Sequence, residues 1–197
     1  MSHNDHIKSM PSALQQAALD SSEYKGKSLE LAERSGWSAL RLRSKQNLPG
    51  LPGQTGLCTG KDPAILCLRP GEWLMLSDTA SPQQLKSEIP NEAQPRLSRV
   101  FDNTHGLAIF RLRGAGAPWL LSKLSGLDYL AGVKSGTHCA QTLMGHISVI
   151  VYWHESNEGN YVFDLIMDRS YARYYWELLV ASATHADDLA LAYGGAA

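Results

Sequence analysis

The stretch FDLIMDRSYARYYWELLVASA, residues 163–183, decides the fold class more than any other part of the chain. Its apolar opening predicts a β-strand over residues 161–167, and Asp168 is the side chain expected to cap the helix that follows. Apolar residues then recur at helical spacing, which predicts a helix with one buried stripe. The stripe consists of Ala172, Tyr175, Trp176, Leu179, Val180 and Ala183.

Two tyrosines of the same helix, Tyr171 and Tyr174, fall off this stripe. Partial exposure to solvent is the simpler interpretation. The alternative is a second aromatic surface that contacts a partner protein. We therefore take Tyr171 and Tyr174 as candidate interface residues.

Short apolar runs separated by turn signals fill the rest of the chain. Pro70-Gly71 predicts a β-hairpin, and Ser81-Pro82 and Gly114 each precede a predicted helix. The predicted strand pairs cover residues 28–43 around a Ser35-Gly36 turn, 64–68 with 72–76, 97–101 with 107–112, and 142–153 with 161–167. A leading hairpin followed by three ββα repeats predicts an α+β fold with antiparallel sheets rather than a doubly wound parallel sheet.

We expect a single α+β domain over residues 28–185, with an N-terminal extension at 1–27 and a C-terminal tail at 186–197. The extension is polar, with a short helix expected around residues 12–19, and a segment with so few apolar residues needs a packing partner to become ordered. The Pro/Gly-rich loop at 47–62 is long for a compact domain. The extension and the loop are expected to lie against partner subunits, with Tyr171 or Tyr174 near one of these contacts.

Composition limits the function classes. Apolar residues make up 44% of the chain, charged residues 19%, and the formal net charge is −1, values typical of a globular protein and unfavourable for nucleic-acid binding. The first residues lack the apolar core of a signal peptide. The longest apolar stretch, residues 147–153, is far shorter than the roughly 20 residues of a membrane helix. The expected location is the cytoplasm.

Two glycine motifs resemble nucleotide-binding loops, but each lacks a required residue. Gly114 and Gly116 lie between a strand and a helix, yet Trp119 stands where a dinucleotide fingerprint needs its third glycine. Gly60 precedes a lysine as in a phosphate-binding loop, yet Asp62 replaces the hydroxyl residue that would hold magnesium. Plain turns are predicted at both places.

Cysteine and histidine residues predict neither a metal site nor a nucleophile. The three cysteines lie far apart: Cys58, Cys67 and Cys139. His138 and Cys139 are neighbours in a predicted strand and point to opposite faces, so a buried structural cysteine is expected. His146 and His154 would lie too far apart along one strand to share an ion. We therefore predict that this chain itself carries no catalytic, cofactor-binding or metal-binding residue.

Five segments, in this order and spacing, resemble one protein family. They are ERSGWSALRLR at 33–43, RPGEWLMLSD at 69–78, LAIFRLRGAGAPWLLSKLSGLDYLAG at 107–132, THCAQTLMGHISVIVYW at 137–153 and FDLIMDRSYARYYWELLVASA at 163–183. Together they resemble the γ subunit of heterotetrameric sarcosine oxidase and its relatives among the N-methylglutamate dehydrogenases. The most specific part runs from Asp168 to Ala172 and on into the helix of Trp176.

The resemblance implies a fold related to the folate-binding aminomethyltransferases of glycine cleavage (the T-protein). It also implies a complex with α, β and δ chains, in which FAD, FMN, NAD and tetrahydrofolate belong to the α and β chains and zinc to δ. That complex demethylates sarcosine oxidatively to glycine, passes the one-carbon unit to tetrahydrofolate and forms peroxide. This chain would be its non-catalytic structural subunit.

Three alternatives remain at this point. The chain could be a subunit of an N-methylglutamate-type dehydrogenase, or a stand-alone protein that binds folate and transfers aminomethyl groups. The folate-using relatives enclose folate between several domains, whereas this chain has length for one. A third alternative, an RNA-binding module on a ferredoxin-like sheet, is disfavoured by the near-neutral charge and the missing aromatic motifs.

Overall fold

The computed structural model of the chain describes residues 11–16, 22–90, 97–134, 138–154 and 160–193. The strands within these ranges are β1 Glu23–Lys25, β2 Glu30–Arg34, β3 Ser38–Ser44, β4 Cys58–Thr59, β5 Ala64–Arg69, β6 Glu72–Ser77, β7 Ser98–Asp102, β8 Leu107–Arg113, β9 Cys139–Met144, β10 Ile147–Trp153 and β11 Val162–Asp168. The α-helices are α1 Ala13–Gln16, α2 Pro82–Ser87, α3 Ala117–Leu124, α4 Tyr129–Lys134 and α5 Ala172–Tyr193.

The chain divides into two compact units. One contains Ser35–Leu107 and Gly136–Ala140, and the other contains Ser12–Arg34, Ala108–Ser135 and Gln141–Ala197. The five-stranded sheet has the order β4-β5-β6-β3-β7, and the six-stranded sheet has the order β1-β2-β8-β11-β10-β9. Each strand pair whose register is described is antiparallel. The predicted α+β class with antiparallel sheets is confirmed.

Two of the predicted strand pairs are correct. β5 and β6 form a hairpin around Pro70-Gly71, with Leu66 opposite Leu74. β10 and β11 also pair, with Ile150 opposite Ile166. The turn predicted between β10 and β11 includes residues 155–159, which lie outside the described part of the chain.

Two other predicted pairs are wrong, because the strands that follow one another in sequence belong to different sheets. β2 pairs with β1 and β8, while β3 pairs with β6 and β7. The leading hairpin and the pairing of β7 with β8 therefore do not form. The strand predicted over 142–153 is also broken at Gly145 and His146, which have φ values of 56° and 69° and separate β9 from β10.

The helix caps and the stripe of α5 follow the sequence prediction. Ser81 caps α2 in a reciprocal capping box with Gln84. Asp168 accepts a hydrogen bond from the Ser170 amide at the 3₁₀ turn that leads into α5. Trp176 is buried and its ring centroid lies 5.5 Å from that of Phe110. α5 continues to Tyr193, so the predicted start of the tail at residue 186 lies inside this helix.

Part of the predicted N-terminal extension belongs to the fold. α1 lies within the helix predicted around residues 12–19, and its Leu14 is 1% exposed. The amides of Ala13 and Leu14 donate to the Glu33 carboxylate at 2.7 and 3.2 Å. β1 pairs with β2. For α1 and β1 the packing partner that the sequence predicts is the chain's own β2, and contact of this segment with a partner subunit remains a prediction.

The Pro/Gly-rich loop is likewise anchored on its own unit. Trp73 donates its indole N–H to the Pro52 carbonyl at 2.8 Å, and Leu48 packs with Leu42 and Trp73 in a buried cluster. The Gly56 amide donates to the Cys67 carbonyl at 2.9 Å. The loop is therefore packed on its own unit, and its contact with a partner subunit remains a prediction.

Candidate functional site

The two candidate interface residues both lie on the surface. Tyr171 is 48% exposed and Tyr174 is 49% exposed. The Tyr174 hydroxyl donates to the Gly145 carbonyl at 3.2 Å, so α5 is tied to the turn between β9 and β10. Exposure of two large aromatic side chains agrees with either interpretation, a solvated surface or a partner contact.

A buried carboxylate on β11 links three neighbouring strands. Asp164 is 1% exposed and accepts two hydrogen bonds of 2.7 Å from Arg111 on β8. Arg34 on β2 donates another at 2.9 Å, and the His154 Nε2 atom lies 2.8 Å from the same carboxylate. Because β2, β8 and β11 are adjacent in the sheet, this cluster ties the strands together on one face.

The electrostatics of this cluster favour a structural role. Burial alone would raise the pKa of Asp164, but hydrogen bonds from Arg111 and His154, with the charges of Arg111 and Arg34, hold that pKa far below its ordinary value. The carboxylate is ionised at neutral pH and donors occupy both of its oxygens. Such a group stabilises its arginine partners and is poorly placed to accept a proton from a substrate.

Sequence reasoning missed this cluster. It considered His154 only as a metal ligand with His146, whereas the structure places His146 in a turn and His154 beside Asp164. A usable signal was present, since Arg111 and Asp164 each interrupt an otherwise apolar strand. A charge within an apolar strand needs a buried partner of opposite sign.

A second buried carboxylate lies on the five-stranded sheet. Glu72 on β6 is 3% exposed and is surrounded by three arginines. Its contacts are Arg41 Nε at 2.6 Å, Arg43 Nη2 at 3.2 Å and Arg69 Nε at 2.5 Å. Burial would raise the pKa of Glu72, but the hydrogen bond from Arg69 and the nearby guanidinium charges lower it overall. Three cations around one anion leave an excess of positive charge.

The segment after β8 is a turn between a strand and a helix, as predicted, and its backbone lies close to that of Ser28. Gly114 has φ of 116°, and a Cβ atom there would lie 2.4 Å from the Ser28 carbonyl oxygen. The Gly114 amide donates to the Tyr161 carbonyl and the Gly116 amide donates to the Ser28 carbonyl, at 2.9 and 3.0 Å. These amides are therefore occupied and cannot bind a phosphate group.

Beside this turn lies an open cleft of about 610 Å³. Its lining comes from residues 26–30, from residues 113–115 and from Asn160 and Val162. Lys27 and Arg113 contribute positive charge to it, and Glu30 contributes negative charge. The cleft lies entirely within the unit that contains the six-stranded sheet.

The remaining sequence candidates have structural roles. Burial raises the pKa of the Cys139 thiol to about 12, and the nearby thiols Cys58 and Cys67 add to this effect. Its Sγ atom lies 3.7 Å from the Cys67 carbonyl oxygen, as expected for a structural cysteine. Asp62 accepts a hydrogen bond of 2.7 Å from the Thr79 hydroxyl, and this bond stabilises the loop that contains Asp62.

Two kinds of feature are absent from the described residues. No group of three or more His, Cys, Asp or Glu side chains there has the arrangement of a metal site. Within the same described part, no helix has the length and apolar character to cross a membrane.

Comparisons with known proteins show a likeness of fold to a solved structure. Neither protein-family models nor curated protein sequences match the chain. Among solved structures, it is similar to a chain of the heterotetrameric sarcosine oxidase from Corynebacterium sp. U-96, solved in complex with pyrrole 2-carboxylate. The TM-score is 0.72 at 20% sequence identity, over 90% of this chain and 96% of the other. The two chains thus have about the same length, and this chain has the fold of a component of that oxidase.

Proposed function

We propose that this chain is the non-catalytic γ-type structural subunit of a heterotetrameric flavoprotein oxidase of the sarcosine oxidase type. The observation that carries the proposal is the fold likeness over 90% of this chain and 96% of a chain of such an oxidase. A chain of the same length and fold is expected to occupy the same place in a related assembly. Its partners would be α, β and δ chains in the cytoplasm.

The chemistry of the described side chains supports a structural role. Asp164 and Glu72, the buried carboxylates described above, are each paired with arginines. Cys139 is buried with a raised pKa, which disfavours a thiolate nucleophile. Under this proposal FAD, FMN, NAD, tetrahydrofolate and zinc belong to the partner chains, which would demethylate sarcosine or a related N-methyl amine. The relation to the aminomethyltransferase fold also remains a prediction.

Co-purification from the native host tests this proposal. The tagged full-length chain is expected to elute in a large complex with chains that show flavin absorbance, in a fixed stoichiometry at increasing salt. Turnover of sarcosine against N-methylglutamate by this complex then distinguishes the oxidase from the dehydrogenase alternative. Elution of the tagged chain as a lone monomer would overturn the proposal.

One observation favours a second candidate, a stand-alone folate-binding protein. The cleft of about 610 Å³ has a size typical of small-molecule sites, and Lys27 and Arg113 at its edge could pair with the carboxylates of a folate. Titration of the isolated chain with tetrahydrofolate tests this candidate. Micromolar binding that is lost in Arg113→Ala would favour it over the structural subunit.

A further inference from the structure

The edge strand β7 combines exposed apolar residues with open backbone groups. β7 is the last strand of its sheet and pairs only with β3 among the described strands. Val100 is 37% exposed and Phe101 is 47% exposed. An exposed edge with large apolar residues is a site where another strand can add.

The hydrogen-bond pattern shows which backbone groups of β7 face outward. The Asn103 amide donates to the Ala39 carbonyl, and the Lys45 amide donates to the Leu97 carbonyl. In an antiparallel ladder alternate residues bond to the neighbouring strand, so the odd-numbered residues of β7 face β3. The N–H and C=O groups of Val100 and Asp102 therefore point away from the sheet.

The face of the sheet beside this edge carries an excess of positive charge. Arg99 and Phe101 are opposite Arg43 and Arg41 in the β3–β7 register, so these side chains share a face. Glu72, opposite Arg43 on β6, lies on the same face. Arg69 reaches Glu72 as well. Three arginines, Arg41, Arg43 and Arg69, contact the single carboxylate of Glu72 and leave an excess of positive charge among the described residues, and Arg43 lies 6.0 Å from the centre of the Phe101 ring.

We propose that β7 binds an extended segment of a partner polypeptide, which adds as a further strand and carries acidic residues on the face of Arg99 and Arg43. The unpaired amide and carbonyl of Val100 would receive its backbone, its acidic side chains would lie on the face of Arg99 and Phe101, and its apolar side chains would lie on the other face. The proposal deepens the proposed function, because it names the surface and the chemistry of a partner that such a subunit needs.

Charge and geometry favour this occupant over two others. Pairing of β7 with a second copy of this chain would bring together two faces of the same positive sign, which is unfavourable. Nucleic acid would neutralise the arginines but would leave the outward amide of Val100 without a strand partner. An acidic strand would pair its carboxylates with the arginines and its backbone with the outward amide of Val100.

A peptide titration tests the surface itself. The probe is a capped heptapeptide of alternating Glu and Val, added to the isotope-labelled full chain, and the control probe replaces Glu by Lys. We expect amide shifts centred on residues 100–102, binding that weakens with salt, and weaker binding of the Lys peptide. Equal binding of both peptides, or shifts elsewhere, would overturn the proposal.

Two substitutions separate the backbone and charge contributions. Val100→Pro removes the outward amide while the β3 ladder stays intact, so binding should weaken about fivefold, the loss of one net hydrogen bond. Val100→Thr is its matched control. Arg99→Glu should weaken binding about tenfold, whereas Lys86→Glu on α2 should leave it unchanged. Unchanged binding in both Val100→Pro and Arg99→Glu would refute the assignment.

Co-purification of the same variants distinguishes this proposal from the proposed function. If wild type carries flavoprotein chains and Val100→Pro carries as much, the proposed function stands and the assignment of β7 fails. If wild type carries none but binds the Glu peptide through these residues, the proposed function fails and the surface stands. A dimer that Val100→Pro abolishes, or tighter binding of a single-stranded oligonucleotide than of the peptide, would overturn the acidic-strand assignment.

Discussion

Replacement of Asp164 by asparagine tests how much the buried carboxylate stabilises the six-stranded sheet. Asparagine keeps the size of the side chain but removes the charge and places an amide N–H₂ against Arg111 and Arg34. Removal of one partner from a buried ion pair costs about 3–5 kcal/mol. Because the side chains of Arg111 and Arg34 are 19% and 20% exposed, water recovers part of this cost. We therefore expect Asp164→Asn to lower the free energy of unfolding by about 3 kcal/mol.

Urea unfolding at neutral pH measures this change, with the midpoint shifted and the slope retained. Asp168→Asn is the matched control, since Asp168 is exposed and caps only the 3₁₀ turn, and the expected cost is small because asparagine caps about as well as aspartate. If Asp164→Asn costs no more than Asp168→Asn, the arginines are hydrated in solution and the inference of a stabilising cluster is refuted.

The same comparison has a pH dependence whose sign follows from the lowered pKa of Asp164. A group with a lower pKa in the folded state stabilises above its unfolded pKa, about 3.9 for aspartate, and loses this contribution as pH falls through the folded pKa. The difference in unfolding free energy between wild type and Asp164→Asn should be constant between about pH 5 and 7 and should shrink below about pH 4. A difference that grows on acidification would contradict the assignment.

Three further changes test other parts of the fold. Trp176→Ala should cost about 3–5 kcal/mol, because Trp176 is 5% exposed and packs on Phe110; a thermal midpoint within a degree or two of wild type would contradict this. Replacement of Cys58, Cys67 and Cys139 by Ala or Ser should leave turnover of the assembled complex nearly unchanged while lowering stability, and loss of turnover in a folded, assembled variant would reveal a thiol in the chemistry. Gly114→Ala should cost more than Gly36→Ala in urea unfolding, because both positions have positive φ but only Gly114 would bring a Cβ atom against the Ser28 carbonyl; equal costs would show that the loop adjusts.

Local signals in the sequence were sufficient where the structure depends on near neighbours. The Ser81 cap, the Pro70-Gly71 hairpin and the stripe around Trp176 each involve residues within a few positions of one another. Local hydrogen bonds determine the cap and the turn, and the spacing of apolar residues determines the stripe. These three features could therefore be predicted from the sequence alone.

The pairing of distant strands was not predictable in the same way. Leu31 of β2 lies opposite Leu112 of β8, and Leu42 of β3 lies opposite Val100 of β7. A turn such as Ser35-Gly36 indicates that the chain reverses direction, but it does not indicate which strand the next strand pairs with. The assumption that consecutive strands pair holds only about two-thirds of the time, and both failures here follow from it.

The same long-range pairing explains why the net charge of the chain is a poor guide to its partners. A value of −1 argues against a general basic field, yet it averages over charges that the fold separates. Arg41, Arg43, Arg69 and Arg99 are spread over 59 positions, and the β3–β6, β3–β7 and β5–β6 registers bring them to one face. Glu72 contacts Arg41, Arg43 and Arg69 and can neutralise only one of their three charges. The positively charged face exists only when these strands pair in this register. A partner that recognises this chain by charge therefore requires that β7 is correctly folded.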